Sequence, residues 1–219
     1  MRHASLGAAG PLVAVLIAAG VLLRFTALDF GWGVPNARPD ENGVFGTLTQ
    51  MDEGRLFPPL VAYGGGYFYP LDAVLHAAAA VTGRSARSLH DLYSNGLLVA
   101  RAWSAALSSV TLALTYVVGR QVGGRVVGAV AAALLAATPL AVREAHFAKA
   151  DTAAAAMVTL FLVAATRSWR SDGTRALAVG ASAGLALSTK LCAGVLPAAA
   201  LAVVAGSRAH AARRLVVAA

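Results

Sequence analysis

The sequence predicts an all-α fold, a polytopic transmembrane helical bundle of about six spans with a long outer loop that carries short interfacial helices. Three observations support this prediction. The chain is 58% hydrophobic and 13% charged with a mean hydropathy of +0.67, whereas soluble domains are about 45–50% apolar and about 25% charged. Uncharged apolar runs recur along the chain, and small basic clusters separate them.

Six uncharged runs of 14 to 18 residues are the candidate spans: residues 6–23, 102–119, 126–142, 152–166, 176–189 and 191–207. A bilayer core needs about 20 mostly apolar helical residues, so the shorter runs have to borrow flanking residues, tilt or penetrate partly. The first run exceeds the apolar core of about 7–15 residues in a signal peptide, which favours a retained helix. For the last two runs we favour two short helices that meet near Lys190 over one long helix.

Arginine clusters give the orientation, because basic residues stay on the cytoplasmic side of a membrane. With six crossings the clusters fall in alternate loops: Arg2; Arg120 and Arg125; Arg167, Arg170 and Arg175; Arg208, Arg213 and Arg214. We therefore expect a multi-pass protein of the plasma (inner) membrane with a cytoplasmic N-terminus. Nine of the ten acidic residues then lie outside, in residues 29–95, residues 138–151 or near Lys190.

Several function classes are disfavoured. The formal net charge of +8 is spread in clusters between apolar runs, which indicates membrane lipids as partners and no nucleic acid. The single cysteine, Cys192, excludes a disulfide framework. No GxGxxG, P-loop, CxxC or HExxH motif occurs, so a soluble nucleotide site is unsupported.

Outer loop 1, about residues 29–95, is long enough to indicate a function of its own. Breaker residues open it, and helices are predicted over residues 44–51 and 70–81. We expect the second helix to lie at the membrane interface, with Tyr67, Phe68 and Tyr69 as an aromatic anchor.

Asp40 and Glu41, which follow Pro39 shortly after the first run, are the first candidate site. A solvated turn is the simpler interpretation, since Pro-Asp is common in turns. The functional interpretation is a carboxylate at the boundary between membrane and water that acts as a general base.

Residues 143–151 are the second candidate site, with five ionisable side chains: Arg143, Glu144, His146, Lys149 and Asp151. An ordinary interfacial loop with neutralised charge is the alternative. Glu144 and Asp151 are seven residues apart, so a continuous helix would place both on one face. His146 and Asp151 could also bind a divalent metal, although two ligands are a weak signal.

Cations are predicted to surround these acids. Arg24 and Arg101 border apolar runs and are explained either by snorkelling or, for Arg101, by phosphate binding. Lys190, near the predicted turn between the last two runs, has the same two explanations as Arg101. With Arg143 and Lys149, these residues would ring an acidic outer site, a mixture that suits a lipid-phosphate donor beside a carboxylate base.

The order of short motifs resembles the N-terminal half of GT-C membrane glycosyltransferases, nearest to the protein O-mannosyltransferase and lipid A aminoarabinose transferase group. The motifs are PDE at 39–41, YFYPL at 67–71, VARAWS at 99–104, YVVGR at 116–120, HFAKADT at 146–152 and GLALSTK at 184–190. They cover essentially the whole chain. YFYPL has one proline where the family often has two.

The resemblance implies inverting transfer of a sugar from a polyprenyl-phosphate donor to a lipid, glycan or protein acceptor on the outer face. It implies that Asp40 is the general base and Glu41 its acidic neighbour. Arg101, Lys190 and Arg143 would bind the donor phosphate. The residues predicted to support the active site are Asp151, His146 and Glu144, and of these Asp151 and His146 could hold a divalent metal. We interpret residues 1–219 as the N-terminal transmembrane portion of a longer enzyme.

Two other interpretations stay open, a secondary transporter or flippase subunit and a non-catalytic scaffold fragment. A transporter would place ionisable residues and broken helices near the bilayer midplane. The charges here gather at the outer boundary, which favours the enzyme.

Overall fold

The structure is a computed structural model that describes residues 9–31, 34, 38–60, 62–92, 94–169, 171–203 and 205–206. The described residues form helices and an isolated antiparallel bridge, which confirms the predicted all-α class. The α-helices are α1 (Ala9–Phe25), α2 (Pro39–Asp52), α3 (Gly65–Thr82), α4 (Ala86–Leu89), α5 (Asn95–Ala137), α6 (Pro139–Ala145), α7 (Ala150–Thr166) and α8 (Asp172–Thr189). A 3₁₀ turn, Leu191–Val195, then begins an apolar helix that extends over Leu191–Val203.

The long helix α5 folds back on itself at Gly124, whose φ of 86° and ψ of −178° are not helical. A Cβ built on Gly119 would lie 2.7 Å from the Gly128 Cα. Residues nine apart in a straight helix are separated by about 13.5 Å, so the two halves of α5 must run antiparallel. The turn lies between Arg120 and Arg125, where the sequence predicts a loop between two spans.

The number of membrane crossings is not confirmed. Among the described residues, α5 is long and apolar enough to cross a bilayer, and α6 and α7 meet the same criterion together, as a pair bent by 118°. The apolar helices Val13–Phe25 and Leu191–Val203 are shorter. Helices occupy the described parts of the predicted runs, but their lengths do not establish about six crossings.

The chain reverses at Lys190, as the sequence predicts. Helix α8 ends at Thr189, and Lys190 is extended, with φ −150° and ψ 130°. The following helix returns along its neighbours, because Ala200 packs in one apolar cluster with Val179 and Phe161.

Two predicted helices of the outer loop begin earlier than expected. Helix α2 starts at Pro39 rather than at residue 44, so Asp40 and Glu41 lie in its first turn and not in a loop. Helix α3 starts at Gly65 rather than at Pro70. The predicted aromatic anchor is wrong for Tyr67 and Phe68, because both side chains are buried in the protein core.

The main core joins α2 and α3 to α5 and α7. Apolar side chains three and four residues apart give α2 and α3 one buried face each, and alanines on α5 and α7 let the helices approach closely. Its buried members include Val44, Phe45, Leu48, Tyr67, Phe68, Leu71, Leu75, Ala100, Ala153 and Ala156.

Arg24, near the end of α1, is fully buried, so the predicted snorkelling is wrong. Its Nε donates to Ser108 Oγ at 2.8 Å, and its Nη1 donates to the Gly20 carbonyl at 2.6 Å. Its Nη2 donates to the Leu135 carbonyl at 3.1 Å. The guanidinium therefore fastens α1 to both halves of α5.

The start of α3 is in direct contact with the end of α8. The Gly64 N–H donates to the Thr189 carbonyl at 3.1 Å, and Tyr63 pairs with Lys190 in the antiparallel bridge. A Cβ on Gly64 would overlap the Ser188 carbonyl oxygen. Only glycine allows this approach, which brings Lys190 next to the outer loop.

We predict that Gly64→Ala lowers the free energy of unfolding by about 1–3 kcal/mol, because the added methyl group forces α3 away from α8. The matched control is Gly180→Ala on α8, which has open space around it and should be neutral or slightly stabilising. Thermal unfolding in nanodiscs measures both variants. An unchanged melting temperature for Gly64→Ala would contradict the close approach.

Candidate functional site

The two candidate sites of the sequence meet at one cavity. It has a volume of about 330 Å³ and lies between the start of α2 and the connection from α6 to α7. Its lining residues are Arg38, Pro39, Asp40, Glu41, Arg143, Glu144, Phe147 and Lys149. Acids and cations that are about a hundred residues apart in sequence therefore face the same space.

Asp40 is the second residue of α2, after Pro39 at a position where a missing N–H costs nothing. Its side chain is exposed to solvent. The partial positive charge at a helix N-terminus stabilises a carboxylate in the first turn. The Asp40 charge also acts on Lys149 and Lys190, which places these residues in one electrostatic cluster.

Glu41, the next residue, faces the protein interior and forms a bidentate ion pair with Arg101 of α5. Arg101 Nε donates to Oε1 at 2.9 Å and Nη2 donates to Oε2 at 2.7 Å. The Glu41 residue is 2% exposed and Arg101 1%. A parallel fork of this kind is the strongest geometry for a pair of these groups.

The same pair holds two further segments. Oε1 of Glu41 accepts a hydrogen bond from the Ala148 N–H at 2.9 Å, which fixes the connection between α6 and α7. Arg101 Nη1 donates to the carbonyls of Leu28 and Phe30 at 2.6 and 2.7 Å. Glu41 and Arg101 were predicted to act at the reacting groups, and this burial favours a supporting role for both.

A chain of alternating charges crosses the second candidate site. Glu144 accepts from Arg143 Nη2 at 2.7 Å and pairs with Lys149. Asp151 lies 3.6 Å from Lys149 Nζ and accepts from Lys190 Nζ at 2.7 Å. The sequence predicts that Glu144 and Asp151 share one helix face if the helix is continuous. The helix is broken, because α6 and α7 meet at a bend of 118°. The two carboxylates are instead joined through Lys149.

Lys149 and Lys190 both remain charged at neutral pH. Burial lowers the pKa of Lys149, but its hydrogen bond to Glu144 and the charges of Asp151 and Glu144 outweigh burial and raise the pKa above the ordinary 10.5. Burial likewise lowers the pKa of Lys190, and Asp151 more than compensates, so that pKa is also raised. The cavity therefore has permanent cations beside Asp40.

His146 and Asp151 do not fit a metal site. The two ring nitrogens of His146 lie 2.7 Å from the Val142 carbonyl oxygen and 2.8 Å from that of Thr26, so both already face backbone acceptors. Asp151 is occupied by Lys190 and approached by Lys149. Two ammonium groups at one carboxylate repel a divalent cation.

Tyr63 belongs to the cluster but was missed by the sequence analysis. Lys190 Nζ lies 5.6 Å from the centre of its ring, a cation–π distance. Burial and the negative charges of Asp151 and Asp40 raise the pKa of Tyr63 to about 12. No local pattern links Tyr63 to Lys190, because the bridge between them joins distant parts of the chain.

A second cavity of about 250 Å³ extends from the cluster between α5, α6 and α7. Most of its wall surface is apolar, although five of its eight lining residues have polar side chains, and it shares Glu144 with the first cavity. The lining residues are Ser108, Thr111, Leu135, Ala141, Glu144, Asp151, Thr152 and Ala155. The charged cavity and the second cavity therefore meet at Glu144.

Comparison with known proteins gives one family. The family model described as dolichyl-phosphate-mannose-protein mannosyltransferase matches residues 85–218, more than half of the chain, and confirms the predicted GT-C resemblance. The match includes Arg101, residues 143–151 and Lys190 and begins after Asp40 and Glu41. No curated protein and no solved structure gives a significant match.

We predict that Arg101→Met lowers the free energy of unfolding by about 3–5 kcal/mol, because it leaves the buried Glu41 carboxylate unpaired. Adding Glu41→Gln should recover part of the loss in a double-mutant cycle measured by denaturant unfolding. Arg143→Met, which breaks an exposed pair, is the control and should cost less than about 1 kcal/mol. Additive single effects of the Arg101 and Glu41 changes would contradict direct pairing.

We predict that Tyr63 of the native protein loses its phenolic proton only at high pH, as a separate titration step. The folded chain holds the Tyr63 proton to about pH 12, while the unfolded chain loses it near its ordinary value of 10.0. The raised pKa of Tyr63 therefore adds to the free energy of unfolding below about pH 10, and this contribution is lost as pH rises toward 12. Burial also raises the pKa of Tyr67 well above 10.0, so the measurement is made in a Tyr67→Phe background. Ultraviolet absorbance should show the Tyr63 step there, and adding Tyr63→Phe should remove it. Tyr69→Phe is the control, and persistence of the step in Tyr63→Phe would contradict the assignment.

Proposed function

The chain belongs to the dolichyl-phosphate-mannose-protein mannosyltransferase family, and we propose that it transfers a sugar from a polyprenyl-phosphate donor to an acceptor. The family is of the GT-C type, a class of membrane-integral glycosyltransferases. The acceptor is a lipid, a glycan or a protein, and the reaction inverts the anomeric carbon. These details are what the family resemblance implies.

One observation carries the proposal: the exposed Asp40 carboxylate lines the same cavity as Arg143 and Lys149. Transfer from a lipid phosphate needs a base for the acceptor proton and cations for the departing phosphate. In our proposal Asp40 takes the acceptor proton, the acceptor oxygen or nitrogen attacks the anomeric carbon, and the bond from that carbon to the phosphate oxygen breaks. A single displacement of this kind inverts the configuration.

Arg143 is the best-placed phosphate ligand. Its side chain is 65% exposed, and a guanidinium presents paired donors that match phosphate oxygens. Lys149 and Lys190 would add positive charge to the departing phosphate. Glu144 and Asp151 already hold these lysines in place, so little reorganisation is needed during the reaction.

Glu41 and Arg101 are positioning residues in this mechanism, which changes the role that the sequence predicted for them. Their guanidinium–carboxylate fork is buried, so it offers no face to a donor phosphate. It instead sets the first turn of α2 against the connection from α6 to α7. Asp40 is thereby held opposite the cations.

We place the apolar chain of the donor near the second cavity, whose lining is mostly apolar. Glu144 and Asp151 of the charged cluster line this cavity, so a phosphate bound at the cluster would adjoin an isoprenoid tail in the cavity. We also propose that this site faces the outer side of the plasma (inner) membrane, with a cytoplasmic N-terminus and about six spans. The arginine clusters support that orientation. Residues 1–219 would then be the N-terminal transmembrane portion of the enzyme.

We predict that Asp40→Asn lowers the rate of sugar transfer by about 10²–10⁴-fold, because the amide cannot accept the acceptor proton. The measurement uses the full-length protein in liposomes with a polyprenyl-phosphate-linked sugar. Glu53→Gln, which removes an exposed acid at the end of the same helix, is the control and should transfer at the wild-type rate.

Equal transfer by Asp40→Asn and the wild type would show that the base lies elsewhere. Movement of intact donor lipid between leaflets without transfer would favour the flippase interpretation. Transfer by the wild type alone would support both the reaction and the role of Asp40.

A further inference from the structure

A second polar cluster lies at the opposite end of α2 from Asp40. It consists of Asp52 at the end of α2, Asp72 and His76 on α3, and His90 directly after α4. The nearest side-chain oxygen or nitrogen atoms of Asp72, His76 and His90 lie within 4.8 Å of one another. We propose that these three side chains bind a divalent transition-metal ion of the Zn²⁺ class.

His90 is the central residue of this cluster because its side chain is only 1% exposed and held by a carboxylate. Its Nδ1 lies 2.6 Å from Asp52 Oδ2 and donates its hydrogen there. In the tautomer that donates from Nδ1, the lone pair is on Nε2. A carboxylate that fixes the tautomer from the far side is the usual support of a metal-bound histidine.

The Nε2 atom of His90 is directed into the cluster without a satisfactory partner. It lies 3.1 Å from Asp72 Oδ1, a separation typical of an ion pair, but the contact lacks hydrogen-bond geometry. Within the described part of the chain, this buried atom has no hydrogen-bond partner. A lone pair facing a carboxylate oxygen is repulsive, and a cation shared by both atoms turns the contact into an attraction.

Two of the three distances between ligand atoms match those of a zinc coordination polyhedron. Ligand atoms about 2.0–2.1 Å from zinc in a tetrahedral site are roughly 3.3 Å from one another. His90 Nε2 is 3.1 Å and His76 Nδ1 3.3 Å from Asp72 Oδ1. The His76 Nδ1 also lies 2.9 Å from the Asp72 carbonyl oxygen, a contact that rotation of this half-exposed ring releases.

The ligand types define the class of ion. Two imidazoles and one carboxylate suit zinc and its neighbours, whereas Mg²⁺ and Ca²⁺ prefer oxygen ligands. Asp52 is twelve residues from Asp40, about 18 Å along a helix, so the ion does not reach the reacting groups. It would instead join α3 to His90, which is hydrogen-bonded to Asp52, and thereby steady the end of the helix that carries Asp40.

The test is zinc binding by the purified, tag-free protein in nanodiscs after chelator treatment, with no sugar donor present. We expect one Zn²⁺ per chain. His76→Gln alters a half-exposed ring and should weaken binding by at least about tenfold, and Asp52→Asn should weaken it by about 10–100-fold. The controls His146→Gln and Cys192→Ser should bind zinc like the wild type.

Thermal unfolding gives a second measurement. Zinc should raise the melting temperature of the wild type and leave that of His76→Gln unchanged, because this variant lacks one ligand. Its helical circular dichroism should match that of the wild type, which checks that it folds. The proposal is overturned if the wild type binds no zinc, or if His76→Gln and Asp72→Asn bind it with wild-type affinity. Loss of binding in His146→Gln or Cys192→Ser would place the metal elsewhere and also overturn it.

Discussion

The buried ion pair of Glu41 and Arg101 is the contact on which the candidate site depends. It connects the start of α2, the second turn of α5 and, through the Ala148 N–H, the connection between α6 and α7. A buried pair is stable only when its geometry is close to ideal and its remaining hydrogen-bonding groups are satisfied. Leu28 and Phe30 provide the remaining acceptors, so several segments have to be in place before the pair is satisfied.

Consecutive carboxylates acquire different environments because successive helical residues point about 100° apart. Glu41 turns toward the interior and becomes a structural group, while Asp40 turns toward the cavity and remains accessible. Two adjacent acids in the sequence therefore do not have equivalent functions. The buried one determines where the exposed one stands.

The sequence predicts those features that depend on local patterns. Uncharged runs locate the helices, Arg120 and Arg125 mark the hairpin in α5, and the break at Lys190 follows from the shortness of the last runs. The start of α2 at Pro39 was missed although proline is common at a helix start. The bridge from Tyr63 to Lys190 and the bend between α6 and α7 arise from contacts between distant segments, and no periodicity reveals them.

Burial of Arg24 has a consequence for the order in which the protein is assembled. Its acceptors at Leu135 and Ala136 lie 111 and 112 residues further along the chain, so α1 is synthesised long before they exist. A guanidinium in an apolar medium is costly until it is paired. The two halves of α5 contact each other over a short sequence distance and can form early. Stable packing of α1 thus waits for the second half of α5, so the first helix of the chain is among the last to reach its final position.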